Sequence, residues 1–166
     1  SHSSHLFGLI NAAEQAGVKN SYVHAFTDGR DVDPKSGAGH LEKLGDFFKE
    51  KNTKIASVSG RYYAMDRDKR WERVQLVYNA LVNAEGIVSE NPVDVIKSNY
   101  AENITDEFHK PIVVSDGKNA ITKIKNDDVV IFFNFRTDRG RQLTEVLSQK
   151  DNPEFEMKKL DLHYVT

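Results

Sequence analysis

Apolar residues recur at helical spacing at Leu6, Leu9, Ile10 and Ala13. Ser4 stands where an N-cap belongs, and Gly17 where the left-handed residue after a helix belongs, so the spacing predicts a first helix. The pattern then changes period. Ser21 to Phe26 is a short β-branched and aromatic run that ends in the polar turn Thr27-Asp28-Gly29-Arg30-Asp31, which predicts a strand feeding a loop. The same unit returns: a helical stripe at Leu41, Leu44, Phe47 and Phe48, then a strand from Ile55 to Val58 that runs into Ser59-Gly60-Arg61. From Asp68 to Ala84 the residues Trp71, Val74, Val77, Tyr78, Leu81 and Val82 fit one face of a helix, with Gly86 as its stop. Pro92 after Asn91 predicts a short helix, and Pro111 to Val114 before Asp116-Gly117 a strand and a turn. Val129 to Phe133 is continuously apolar, the pattern of a central strand covered on both faces; its polar exit is Asn134-Phe135-Arg136-Thr137-Asp138-Arg139. A helix through Leu147 and a strand from Leu160 to Val165 follow, and the pattern stops at Thr166 as if cut.

Helices alternating with short strands predict an α/β protein, a layered and largely parallel or mixed sheet flanked by helices, with residues 1–166 forming one domain. Length and charge narrow the class. A chain of 166 residues has enough surface to bury a core without staples, and with no Cys it has no disulfide, thiolate metal site or Cys nucleophile. The balance of 23 Lys and Arg against 25 Asp and Glu disfavours a general polyanion binder, so nucleic acid is not an expected partner. No apolar run approaches the ~20 residues a membrane span needs, and no secretory signal opens the chain, so a soluble, cytoplasmic protein without membrane contact is expected. The opening Ser1-His2-Ser3-Ser4-His5 also fits the remnant of a purification tag.

Three strand ends carry arginine: Arg30 after the first, Arg61 and Arg67 after the second, Arg136 and Arg139 after the late one. Ligands of open α/β sheets bind outside the carboxyl ends of the strands, so these loops can converge on one crevice. The guanidinium fork matches carboxylate and phosphate oxygens, and a phosphorylated organic acid carries about three negative charges near neutral pH. The competing reading is surface pairing, because each loop also holds Asp: Asp28 and Asp31, Asp66 and Asp68, Asp138. Arg70 and Arg73 lie within the predicted third helix beside Glu72 and read as a solvated face. Asp31 reads equally as a general base toward a hydroxyl or as a turn residue. His24, inside a strand, reads as a core histidine, and His40, His109 and His163 show no metal-ligand spacing. Tyr62, Tyr63, Trp71 and Tyr78 read as packing, and no phosphate-binding loop, dinucleotide fingerprint or serine-hydrolase elbow is present.

Three blocks then carry a resemblance: Tyr22 to Val32 (YVHAFTDGRDV), Ser59 to Arg73 (SGRYYAMDRDKRWER) and Phe133 to Arg139 (FNFRTDR). Together they closely resemble the cofactor-independent, that is 2,3-bisphosphoglycerate-independent, phosphoglycerate mutases. The likeness places Ser1-His2 at the end of that family's Gly-Gly-Val-His-Ser-His segment, which displaces the tag reading. It implies an enzyme that interconverts 3-phosphoglycerate and 2-phosphoglycerate through a phosphoserine. By resemblance, a phosphatase-like domain holds that serine and two Mn²⁺ (or Mg²⁺) ions, and the present chain is the inserted substrate-binding, or phosphotransferase, domain.

The resemblance also assigns roles. Arg30 and Asp31 contact the glycerate, with Asp31 the acid/base on its hydroxyls; Arg61 and Arg67 bind substrate; Arg136 and Arg139 engage the phosphate and the phosphoserine. The family's substrate-binding His precedes Ser1, and its serine, metal ligands and substrate-binding Lys lie in flanking sequence. No metal or cofactor is therefore expected in this chain, whose partners are the two phosphoglycerates and the phosphatase-like domain. Alone, it is expected to be inactive. The alternative is a non-catalytic anion-binding module for phosphorylated organic acids.

Overall fold

The computed structural model describes residues 2–166. The expected place of Ser1 in a His-Ser-His segment lies outside the described residues. Helix α1 (Ser3–Gln15) is capped by His2, whose ring nitrogen accepts from the Ser4 N–H, so Ser4 lies inside the helix and is not its cap. Strand β1 (Ser21–Thr27) pairs in parallel with β2 (Thr53–Gly60), and α2 (Gly37–Phe48) makes the crossover. Strand β2 has β4 (Ile112–Val114) antiparallel on its other side, and β4 pairs in parallel with β3 (Ile87–Ser89). The sheet runs β1-β2-β4-β3 and is mixed, with helices packed against it. Central β2 is buried without a break from Ala56 to Gly60, as a strand covered on both faces must be.

Two apolar clusters build the interior. Ala38 and Leu41 of α2, Ile96 of α5 (Pro92–Ala101), Val58 and Ile112 form one. The second joins α4 (Trp71–Tyr78) and α6 (Thr137–Thr144) to the C-terminal segment through Val74, Val77, Tyr78, Leu143, Leu147 and Met157. Both helices continue into a π-helical turn, Asn79–Asn83 and Glu145–Gln149, which carries Leu81, Val146 and Leu147 inward.

Three further expectations change. Helix α4 starts at Trp71, not Asp68, because the Asp66 carboxylate takes the N–H groups of Asp68 and Arg70 and holds residues 66–70 as a loop. Its continuation ends on Ala84 in the left-handed conformation; Gly86 serves a different need, since a Cβ there would lie 2.7 Å from the Pro111 carbonyl. The apolar run at 129–133 is not a central strand: β5 (Val129–Ile131) pairs among the described residues only with β6 (His163–Val165). Val129 is 69% and Ile131 50% exposed, while Val130 between them packs on the second cluster. That is the alternation of a half-buried strand.

Candidate functional site

The C-terminal ends of β1 and β2 lie side by side, Thr27 opposite Gly60, and this adjacency brings the first two arginine loops together. After β1 the chain turns on Asp28, whose Oδ1 accepts from the N–H groups of Arg30 (3.1 Å) and Asp31 (3.2 Å). After β2 it passes into the single turn α3 (Arg61–Ala64), so Arg61 emerges beside that loop. Its Nη1 donates to Asp28 Oδ1 at 2.6 Å and to Asp31 Oδ2 at 2.7 Å, with the Arg61 side chain only 5% exposed. Although partial burial opposes ionisation of Asp28, the Arg61 hydrogen bond and the two backbone N–H groups hold its carboxyl below the usual range. Burial likewise opposes the Arg61 charge, and Asp31 and Asp28 outweigh it, raising the guanidinium pKa.

The remaining arginines come from the 65–70 loop and from the start of α6. Arg136, just before α6, grips Asp138 with Nε and Nη2 at 3.2 and 3.0 Å, and Arg67 Nη1 reaches the same carboxylate at 3.2 Å. Arg136 first, then Arg67 after the smaller opposition of burial, hold the Asp138 carboxyl down to about 2. Arg139, one turn into α6, donates from Nη1 to the Met65 carbonyl at 3.1 Å, while its buried Nε has no partner. Burial, then the positive charges of Arg67, Arg61 and Arg136, lower its pKa. Mutual repulsion of that kind requires proximity, and Arg67 and Arg136 share the Asp138 carboxylate, so the four guanidinium groups form one cluster. Arg30 stands apart from them: its side chain is 63% exposed and pairs with Glu107 at 3.4 Å. Asp31 is drawn in through Arg61.

Arg73 is not on a solvated face. Its guanidinium lies 3.8 Å above the Tyr62 ring and pairs with Asp66, itself 4% exposed, at 3.3 Å. Asp66 therefore ties the loop of Arg67 to α4, a role that the charge spacing alone hides. Arg70, by contrast, is exposed and pairs with Glu72 at 3.6 Å as expected. Gln142, next to Arg139 on the helical repeat, is buried with an unpartnered Oε1, another feature no motif announced. Among the described residues no group of three or more His, Asp or Glu side chains is placed to hold a metal ion. Among the described residues, no helix is long and apolar enough to cross a membrane.

The arrangement has close relatives. Phosphoglycerate mutases of the 2,3-bisphosphoglycerate-independent type from Flavobacterium psychrophilum and Clostridium beijerinckii are 58% and 50% identical to this chain over 167 residues. The chain is covered completely and spans 33% of the length of each. The crystal structure of Leishmania mexicana phosphoglycerate mutase at low cobalt concentration matches 99% of this chain and 32% of its own, with a TM-score of 0.91 at 26% identity. Residues 1–166 match throughout the family described as the BPG-independent PGAM N-terminus (iPGM_N), and the chain belongs to that family.

Proposed function

We propose that this chain is the substrate-binding portion of a phosphoglycerate mutase, working in the cytoplasm to orient glycerate while a phosphoryl group moves between its hydroxyls. The clustering of Arg61, Arg67, Arg136 and Arg139 carries the reading, since it supplies the charge that a phosphorylated carboxylic acid requires. Residues 1–166 act as one domain, and the phosphoserine reside elsewhere in the full-length protein. Two divalent ions, Mn²⁺ or Mg²⁺, would supply electrostatic activation there; among the described residues no group of three or more His, Asp or Glu side chains is placed to hold one.

Within the site the division of labour follows position. Arg67 and Arg136 share Asp138, and an incoming phosphate offers both a stronger anion than that shared carboxylate. Arg139 keeps its unpartnered Nε for the same anion or for the phosphoserine. Arg30 and Arg61 hold the carboxylate end, and Asp31, anchored by Arg61, accepts the proton of the hydroxyl to be phosphorylated.

The test is complementation. The chain rejoined to its flanking sequence and supplied with Mn²⁺ is expected to convert 3-phosphoglycerate to 2-phosphoglycerate, Arg61→Ala in that protein to lose the activity, and the isolated chain to bind without turnover. A folded, rejoined protein with no activity would leave an anion-binding module as the description.

A further inference from the structure

Against the ends of β1 and β2 lies a second group of polar side chains, built on two that are almost wholly shut from solvent. Asp106 is 1% and His109 0% exposed. Asp106 Oδ2 accepts the N–H of Gly37, the first residue of α2, at 2.7 Å; Oδ1 accepts from the Tyr100 hydroxyl and from His109 Nε2 at 3.1 Å. Asn99 Nδ2 donates to His109 Nδ1 at 2.9 Å, which fixes the proton on Nε2 and makes the ring a neutral donor to the carboxylate. Burial lowers the His109 pKa against the pull of Asp106, in keeping with that neutral form.

Residues 106–109 also bind the backbone that carries the site. The Asp106 N–H donates to the Pro34 carbonyl at 2.9 Å, and the Thr27 hydroxyl to the Asp106 carbonyl at 2.7 Å. The Gly60 N–H, directly before Arg61, donates to the His109 carbonyl at 2.8 Å, and Glu107 holds Arg30. The end of β1, the loop of Arg30 and Asp31, the start of α2 and the base of Arg61 all hang from residues 106–109. Neither Asp106 nor His109 reaches the molecular surface, so neither touches a ligand.

We propose that Asp106 and His109 are positioning residues of the phosphoglycerate site, fixing Arg30 and Asp31 relative to Arg61 through this buried hydrogen-bond network. The inference rests on the substrate-binding reading above. The network supports the β1 and β2 loops and leaves Arg136 and Arg139, held by α6 and Met65, in place. Loosening it weakens the grip on glycerate and spares the grip on phosphate alone.

The experiment compares His109→Leu and His109→Gln in the full-length mutase, with the KM for 3-phosphoglycerate and the inhibition constant of inorganic phosphate as readouts. His109→Leu is expected to raise KM about tenfold or more while the phosphate constant stays within about twofold, because displacement of oriented groups by even 1 Å is costly. His109→Gln, which keeps an N–H donor for Asp106, is expected to restore most of the loss. A folded His109→Leu enzyme with unchanged KM, a parallel rise of both constants, or a Gln variant as poor as Leu overturns the proposal. If His109→Leu does not fold, Tyr100→Phe decides: it keeps the ring, removes one donor to Asp106, and must show the same split. Arg61→Ala serves as control, because activity surviving there would sink the substrate-binding reading whatever the His109 variants do.

Discussion

His24 sits within β1 with Nδ1 2.7 Å from the Ser57 hydroxyl, and burial pushes its pKa down to about 4 from the usual 6.5. The unfolded chain therefore takes up a proton between these values that the folded chain refuses, so this contribution to stability is intact above 6.5 and is lost as pH falls toward 4. Replacing His24 by Asn removes the titration, and urea midpoints measured from pH 7 to pH 4.5 should fall less steeply for the variant. Asp138 behaves oppositely, staying ionised throughout that range under the hold of Arg136 and Arg67. Its carboxylate occupies both guanidinium groups, so Asp138→Asn should tighten binding of inorganic phosphate to the chain, read by calorimetric titration; weaker binding would show instead that Asp138 orients the two arginines. Arg61 is a sharper case. Its loss leaves Asp28 and Asp31, now bridged by one Nη1, facing each other without a counter-charge, so Arg61→Ala turns an anion site locally negative.

The elements that carry these residues meet with almost no space between them. A Cβ on Gly60 would lie 2.7 Å from the His109 nitrogen, and one on Gly29, which already needs positive φ, 2.7 Å from the Asp106 Cβ. Gly60→Ala should therefore force β2 away from the 106–108 turn and cost about 1–3 kcal/mol, measurable by urea unfolding, with loss of phosphoglycerate binding before loss of fold. This close approach marks the limit of what the sequence discloses. Helices α1, α2 and α4, strands β1 and β2, and the Arg-bearing loops are legible because periodicity and turn residues report local structure directly. Strand β3 is not, since Ile87-Val88-Ser89 is too short to show a period. Neighbourhood is not legible either: the run at 129–133 looks central, but which strand flanks it depends on the whole chain. That arginines follow β1, β2 and β5 can be read from the sequence, whereas the nearness of the β5 exit to the β2 exit, Arg73 over Tyr62 and the Asp106–His109 pair arise from tertiary packing between distant segments.

At the scale of the whole molecule, the arginine cluster is a positive patch on a slightly negative chain. The chain carries a net charge of −2, yet here four arginines stand with three carboxylates, two of them committed to Arg61. Attraction is thus a local field, and its parts differ in how far solvent screens them. Arg67 and Arg136 are 48% and 49% exposed, so their pull on phosphate weakens with added salt; Arg61, at 5%, is screened far less. Raising ionic strength from about 0.02 to about 0.2 M should therefore lower the affinity of the chain for 3-phosphoglycerate by roughly threefold to tenfold and then reach a floor, since the Debye length by then is shorter than about 10 Å. In Arg67→Ala the slope should flatten, while the floor set by Arg61 stays. A salt slope unchanged in Arg67→Ala would place the anion away from the shared Asp138 carboxylate and move the phosphate end of the site elsewhere in the cluster.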